Sequence, residues 1–182
     1  MTGIVNLIVA CVGCGDIERL RRWRDGVGRH LDQRPRLICL TNHPEECEGV
    51  VCIDISEIRL PGPWATMLLF EPQWRGRAKI IFLDIDIEPI GDLGPLARVP
   101  GEFAICEGEG RRYDDRVMVI GPGMAGFVWT AFDTRRDEMM ARHRNPAAAI
   151  EAIYPGAARL KGVPVSRETP LRSGEAPATR TI

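Results

Sequence analysis

The sequence predicts an α/β protein with a mainly parallel central sheet flanked by helices. Three observations carry that prediction. Short apolar, β-branched runs recur along the chain, at residues 4–10, 36–41, 50–55 and 80–83. Between the first two lies a segment with helical periodicity. The connections are short, which favours strands and helices packed as alternating neighbours.

Residues 4–10 (I-V-N-L-I-V-A) read as the first strand, ended by Val12-Gly13-Cys14-Gly15. Asp16 is placed to cap a helix running to about Leu31, because a short carboxylate at that position accepts from first-turn amides. Ile17, Leu20, Trp23, Val27 and Leu31 recur at helical spacing and make its apolar stripe. Arg19, Arg21, Arg22 and Arg24 fall mostly off the stripe, the pattern of a solvated face. Residues 36–41 end at Asn42-His43-Pro44, and Gly49 leads into a strand over 50–55. Leu60-Pro61-Gly62-Pro63 is a stiff turn, followed by a short apolar helix over 64–70 that Pro72 stops.

The unbroken run Ile80-Ile81-Phe82-Leu83 marks a strand buried on both faces. Residues 102–106 and 117–120 are two more short strands, separated by a polar loop over 107–116 that contains Tyr113, Asp114 and Asp115. Gly121-Pro122-Gly123 is a turn, and 125–141 reads as helix. From Gly162 onward Pro, Ser, Thr, Arg and Glu dominate with little periodicity. The expected layout is one domain over residues 1–161 and a poorly ordered or loosely docked tail over 162–182.

Composition narrows the function classes. A chain of 182 residues is long enough for one domain with a sizeable core. Its net charge of -1 gives no reason to expect a nucleic-acid or anionic-membrane partner. No apolar run is long enough for a transmembrane segment. Ile8-Val9-Ala10-Cys11 has the look of a lipoprotein cleavage box, but no Lys or Arg precedes it, so a core strand fits better than a signal peptide. The cysteines Cys39, Cys52 and Cys106 sit within apolar runs as small hydrophobes, and a reduced, cytoplasmic setting is the default expectation.

The chemistry concentrates at Lys79-Ile80-Ile81-Phe82-Leu83-Asp84-Ile85-Asp86. If the strand runs on through Asp86, both carboxylates point to one face and Ile85 to the other. Two carboxylates at the end of a central strand repel each other and lose solvation, so the pair needs a cation. A divalent metal carrying a phosphorylated ligand satisfies both. Other motifs are weaker. Cys11-Val12-Gly13-Cys14 has redox spacing but reads better as small residues in a ligand-facing turn. Gly13-x-Gly15 is not a dinucleotide fingerprint, since Glu18 occupies the third glycine position.

The stretch I-I-F-L-D-I-D-I-E-P-I-G-D-L-G-P-L resembles the D-x-D segment of GT-A glycosyltransferases, in the style of the glycogenin and lipopolysaccharide galactosyltransferase group. Pro63 to Phe70 is similar to a W-x-K-M-x-L-F helix that precedes that segment in small bacterial members, and Glu102-Phe103-Ala104-Ile105 follows where theirs does. The resemblance implies a GT-A type α/β three-layer sandwich and sugar transfer from a nucleotide-diphosphate sugar to an unknown acceptor. By carry-over, Asp84 and Asp86 hold Mn²⁺ or Mg²⁺. Ala10, Cys11, Val12, Thr41, Asn42, Asp84 and Ile85 line the nucleotide-sugar site, and Asp114 or Asp115 is the acidic group nearest the sugar. The chain departs from the pattern at Thr66, where the relatives carry lysine, and at Asp114-Asp115, where theirs are neutral. Their late metal-binding histidine has no counterpart, His143 reading as an exposed helix residue. A degenerate nucleotide-sugar-binding protein and a haloacid-dehalogenase-type phosphatase with Asp84 as nucleophile are the alternatives.

Overall fold

The computed structural model describes residues 7–13 and 15–167. Its seven-stranded sheet contains β1 (Leu7–Val12), β2 (Arg36–Thr41), β3 (Val50–Asp54), β4 (Lys79–Leu83), β6 (Phe103–Glu107), β7 (Tyr113–Ile120) and β8 (Ala158–Leu160), in the order β3-β2-β1-β4-β7-β6-β8. Strands β3, β2, β1 and β4 are mutually parallel. Only β7 reverses, antiparallel to both β4 and β6, while β8 runs with β6. A separate antiparallel ribbon pairs β5 (Ile87–Pro89) with β9 (Val165–Arg167).

Strand alternation builds two cores from one sheet. Ile8, Ala10, Ile80 and Phe82 face one side, against the 3₁₀ helix Gly62–Phe70, α4 (Met124–Asp133) and α6 (Pro146–Ile153). Leu7, Val9, Ile81 and Leu83 face the other, against α1 (Ile17–His30) and α3 (Gly94–Ala97). The product is the expected three-layer sandwich. On α1 the stripe residues Leu20, Trp23 and Val27 are buried, and Asp16 caps the helix through the amides of Glu18 and Arg19. Trp23 Nε1 donates to the Leu83 carbonyl at 3.2 Å, fixing α1 to the end of β4.

Several elements differ from expectation. Residues 64–70 are 3₁₀ rather than α, and every one is buried, so no amphipathic stripe selects an α period. Pro72 opens the short helix α2 (Pro72–Arg75), where its missing N–H is harmless. The expected helix over 125–141 divides into α4 and α5 (Arg136–Arg142) near Thr134, whose hydroxyl donates to the Thr130 carbonyl. The last four residues of the expected 107–116 loop belong to β7, anchored because the Tyr113 hydroxyl donates to the Tyr154 carbonyl at 2.8 Å and accepts from Ala157 N at 2.9 Å. Helix α6, outside the expected elements, starts on a local signal, an Asn145 cap followed by Pro146. Of the expected tail, Val165–Arg167 form β9, and residues 168–182 lie outside the described residues, as do residues 1–6, which include residues 4–6 of the expected first strand. Among the described residues, no helix is long and apolar enough to cross a membrane.

Candidate functional site

The connection leaving β1 runs to β2 on one side, while β4 lies on the other. Such a switch point opens a crevice at the carboxyl ends of parallel strands, where α/β sheets bind ligands. A cleft of about 510 Å³ occupies that place, within the usual range for small-molecule sites. Val12 from β1, Thr41 from β2 and Asp84 after β4 line it. Asn42 and His43 extend the β2 rim, Pro63, Ala65 and Thr66 of the 3₁₀ helix form a wall, and Arg19 enters from α1. Gly13, at φ +81°, turns the chain out of β1 while its N–H donates to the Leu40 carbonyl at 2.8 Å.

Strand β4 ends at Leu83, three residues short of Asp86, so the expected strand alternation does not place the pair. Asp84 closes a turn instead. Its Oδ1 accepts from Asp86 N at 2.9 Å, its carbonyl accepts from Ile87 N at 3.1 Å, and its own N–H donates to the Arg116 carbonyl at 2.9 Å. Aspartate side chains compete with ladder bonding in this way, which is why the strand stops here. Both carboxylates nonetheless line one cleft, and Ile85 lines it too while packing into the core with Ile87. Asp84 is half-buried. Desolvation pushes its pKa up, and the Asp86 charge pushes the same way, against the Asp86 amide and the charges of Arg19 and Arg116. Asp86 is exposed and forms an ion pair with Arg19.

Asp115 reaches the cleft through an irregularity in β7. Ile105 pairs with Met118 but the next residue, Cys106, pairs with Asp114, leaving Asp115, Arg116 and Val117 without partners on β6. Bulges of this kind re-aim side chains. Asp115 lines the same cleft as Asp84, and its pKa rises to about 6. Burial is the main cause, repulsion from Asp114 and Asp84 adds to it, and its own amide and Arg116 oppose it.

This shift makes a pH prediction. An acid with a folded pKa above its unfolded value stabilises the fold fully below the unfolded value, near 3.8, and that contribution disappears as pH rises through about 6. Wild type should therefore lose up to about 3 kcal/mol relative to Asp115→Asn between about pH 4 and pH 7. Urea midpoints of the two proteins across that range test it, and parallel profiles would count against it.

Three expected site residues are not in the cleft. Ala10 and Cys11 are fully buried, one in each core, because β1 continues to Val12 and only Val12 and Gly13 reach the rim. Asp114 lines a separate cavity of about 250 Å³, where Arg116 Nε holds its carboxylate at 2.8 and 3.1 Å. That pairing removes Asp114 from the set of free carboxylates. Cys14 lies outside the described residues. Conversely, Arg19 joins the cleft although its sequence pattern indicated a solvated face. Its place in the first turn of a helix that starts just beyond a strand end was the available signal. Among the described residues, no three His, Cys, Asp or Glu side chains group as a ready-made metal cage.

No family model matches the chain, and no curated protein matches it. Solved structures do. The galactosyltransferase LgtC, in complex with donor and acceptor sugar analogues, aligns with a TM-score of 0.64 at 13% identity, over 90% of this chain and 87% of LgtC. The glycosyltransferase GlyE of Streptococcus pneumoniae aligns with a TM-score of 0.64 at 16% identity, over 86% of this chain and 46% of GlyE. This chain thus spans less than half of GlyE's length. The bifunctional glycosyltransferase WbbM aligns with a TM-score of 0.60 at 12% identity, over 88% of this chain and 40% of WbbM. Identities this low speak for architecture rather than reaction, and the architecture of this chain is the GT-A glycosyltransferase fold.

Proposed function

We propose that the chain is a metal-dependent glycosyltransferase that moves a sugar from a nucleotide-diphosphate sugar to an acceptor. The observation that carries this is the pair Asp84 and Asp86, held on one turn that lines a cleft at the sheet's switch point. Their oxygens are hard donors, and burial, with the Asp86 charge adding to it, holds the Asp84 pKa above its ordinary value. Two carboxylates with remaining positions left to phosphate and water suit Mg²⁺ or Mn²⁺. Such an ion, when bound, would neutralise charge developing on the departing nucleoside diphosphate.

The chain's own residues do the rest. Val12, Thr41 and Asn42 form the rim that takes the nucleoside. Thr41 is buried and its hydroxyl accepts from His43 N at 3.0 Å, so it orients the loop after β2. Asp115 is the acidic group for the sugar side. A carboxylate with a pKa near 6 exchanges protons readily near neutral pH, which suits it to take the acceptor's hydroxyl proton.

Calorimetry with UDP- and GDP-sugars, with and without Mn²⁺, tests the reading. Metal-dependent binding followed by sugar transfer or release is expected. Absence of binding in every condition would overturn it. Binding with no turnover would leave a nucleotide-sugar-binding protein, and hydrolysis of a simple phosphate ester lost in Asp84→Asn would point to a phosphatase.

A further inference from the structure

We propose that Arg19 is the diphosphate-binding cation of the cleft, and that its ion pair with Asp86 is the resting form of that role. The proposal takes its ligand class from the transferase reading. Its physical basis is a charge imbalance. The cleft is lined by three carboxylates, Asp84, Asp86 and Asp115, and among the described residues Arg19 is the one Arg or Lys that lines it with them, while the Arg116 charge acts on Asp84 and Asp115 from the neighbouring cavity. A diphosphate entering that space meets strong repulsion from the carboxylates, and one divalent ion leaves part of it uncompensated.

Nearby cations are committed elsewhere. Arg116 grips Asp114 in the other cavity. Lys79 lies at the opposite end of β4 and donates to the carbonyls of Ala97 and Val99 at 3.1 and 2.9 Å. The start of α1 does not serve either, because the Asp16 carboxylate takes the Glu18 and Arg19 amides at 2.9 and 3.3 Å and sets a negative charge there. Of the other α1 arginines, Arg21 pairs with Glu18, Arg24 with Asp25 and the Glu48 carbonyl, and Arg29 with Glu88 of β5. Arg19 alone among these reaches across to the β4 turn.

The pair is built to break. Its side chains are 33% and 56% exposed for Arg19 and Asp86, and an ion pair so open to water is weak. A phosphate presents a planar guanidinium with a bidentate partner of higher charge, which is the stronger contact. When Arg19 moves to phosphate, Asp86 is released as a metal ligand. Before that, Arg19 competes with the metal for the same carboxylate. Metal and diphosphate therefore bind cooperatively, and Arg19 is the reason.

Two affinities in Arg19→Ala should consequently move in opposite directions. Mn²⁺ alone should bind roughly 3- to 10-fold more tightly, because Asp86 loses its internal counter-ion. Inorganic pyrophosphate with Mn²⁺ should bind about 10- to 100-fold more weakly, the loss expected for one charge-assisted contact. Arg19→Gln, which keeps the stem, should repeat both shifts, and Arg19→Lys should restore part of the pyrophosphate affinity. Unchanged pyrophosphate affinity in Arg19→Ala, or no pyrophosphate binding by wild type, would overturn the inference. The two readings separate cleanly. Nucleotide-sugar binding indifferent to Arg19 sinks only the inference, while Arg19-dependent pyrophosphate binding without any nucleotide-sugar binding sinks only the transferase reading.

Discussion

Asp84→Asn is expected to weaken metal-dependent nucleoside-diphosphate binding by on the order of 100-fold, the ~3 kcal/mol associated with removing one partner of a direct, partly desolvated charge contact. The same change should leave the melting temperature unchanged or raise it. Asparagine keeps the Oδ1 acceptor that closes the turn on Asp86 N. It removes a charge that burial and Asp86 disfavour. Because the folded pKa of Asp84 is raised, the stabilising effect of Asn should be present at pH 7 and vanish below the unfolded value, near 3.8. Residues kept at a cost to stability are a mark of function. Calorimetric titration with UDP and GDP in Mn²⁺, paired with melts at pH 7 and at about pH 3, reads both effects. A variant that melts several degrees lower while keeping its nucleotide affinity would make Asp84 a structural residue.

Phe132→Ala should produce the largest loss of stability, about 3–5 kcal/mol. Phe132 is fully buried on α4 and stacks on Trp64 with ring centroids 5.9 Å apart and planes 9° from parallel. Trp129 tilts against it at 6.1 Å. The effect should extend to the cleft, since Trp64 sits between Pro63 and Ala65, which form its wall. Removing the ring leaves a void beneath that wall, so nucleotide affinity should fall together with stability. Phe132→Leu, which refills much of the space, should cost far less, on the order of 1 kcal/mol. Urea unfolding of the two variants measures the difference. A loss below about 1 kcal/mol for the alanine variant would mean that α4 does not support the 3₁₀ helix in this way.

Features with local causes were legible from residues alone. The Asp16 cap and the Leu20-Trp23-Val27 stripe specify α1, and both depend on neighbours within a few turns. The run of residues 80–83 marks the buried strand β4 for the same reason. The fold class and the GT-A resemblance followed from such segments, and the architecture agrees with them. Where local rules failed, a distant partner had taken over. Tyr113 belongs to β7 because its hydroxyl reaches Tyr154 and Ala157 across the sheet edge. Val165–Arg167 carries little periodicity of its own and becomes a strand by pairing with β5.

The sequence by itself determined the layered α/β sheet and put two aspartates at the end of its central strand, because apolar periodicity and strand termini are written in adjacent residues. Tertiary structure alone decided which charges share the cleft. A three-residue irregularity opposite Ile105 and Cys106 turns Asp115 inward and leaves Asp114 to Arg116. The docking of α1 on β4 carries Arg19 to Asp86. Neither outcome is encoded by spacing along the chain, since both depend on which strand lies beside which, and a single shift of register reverses the face a side chain meets.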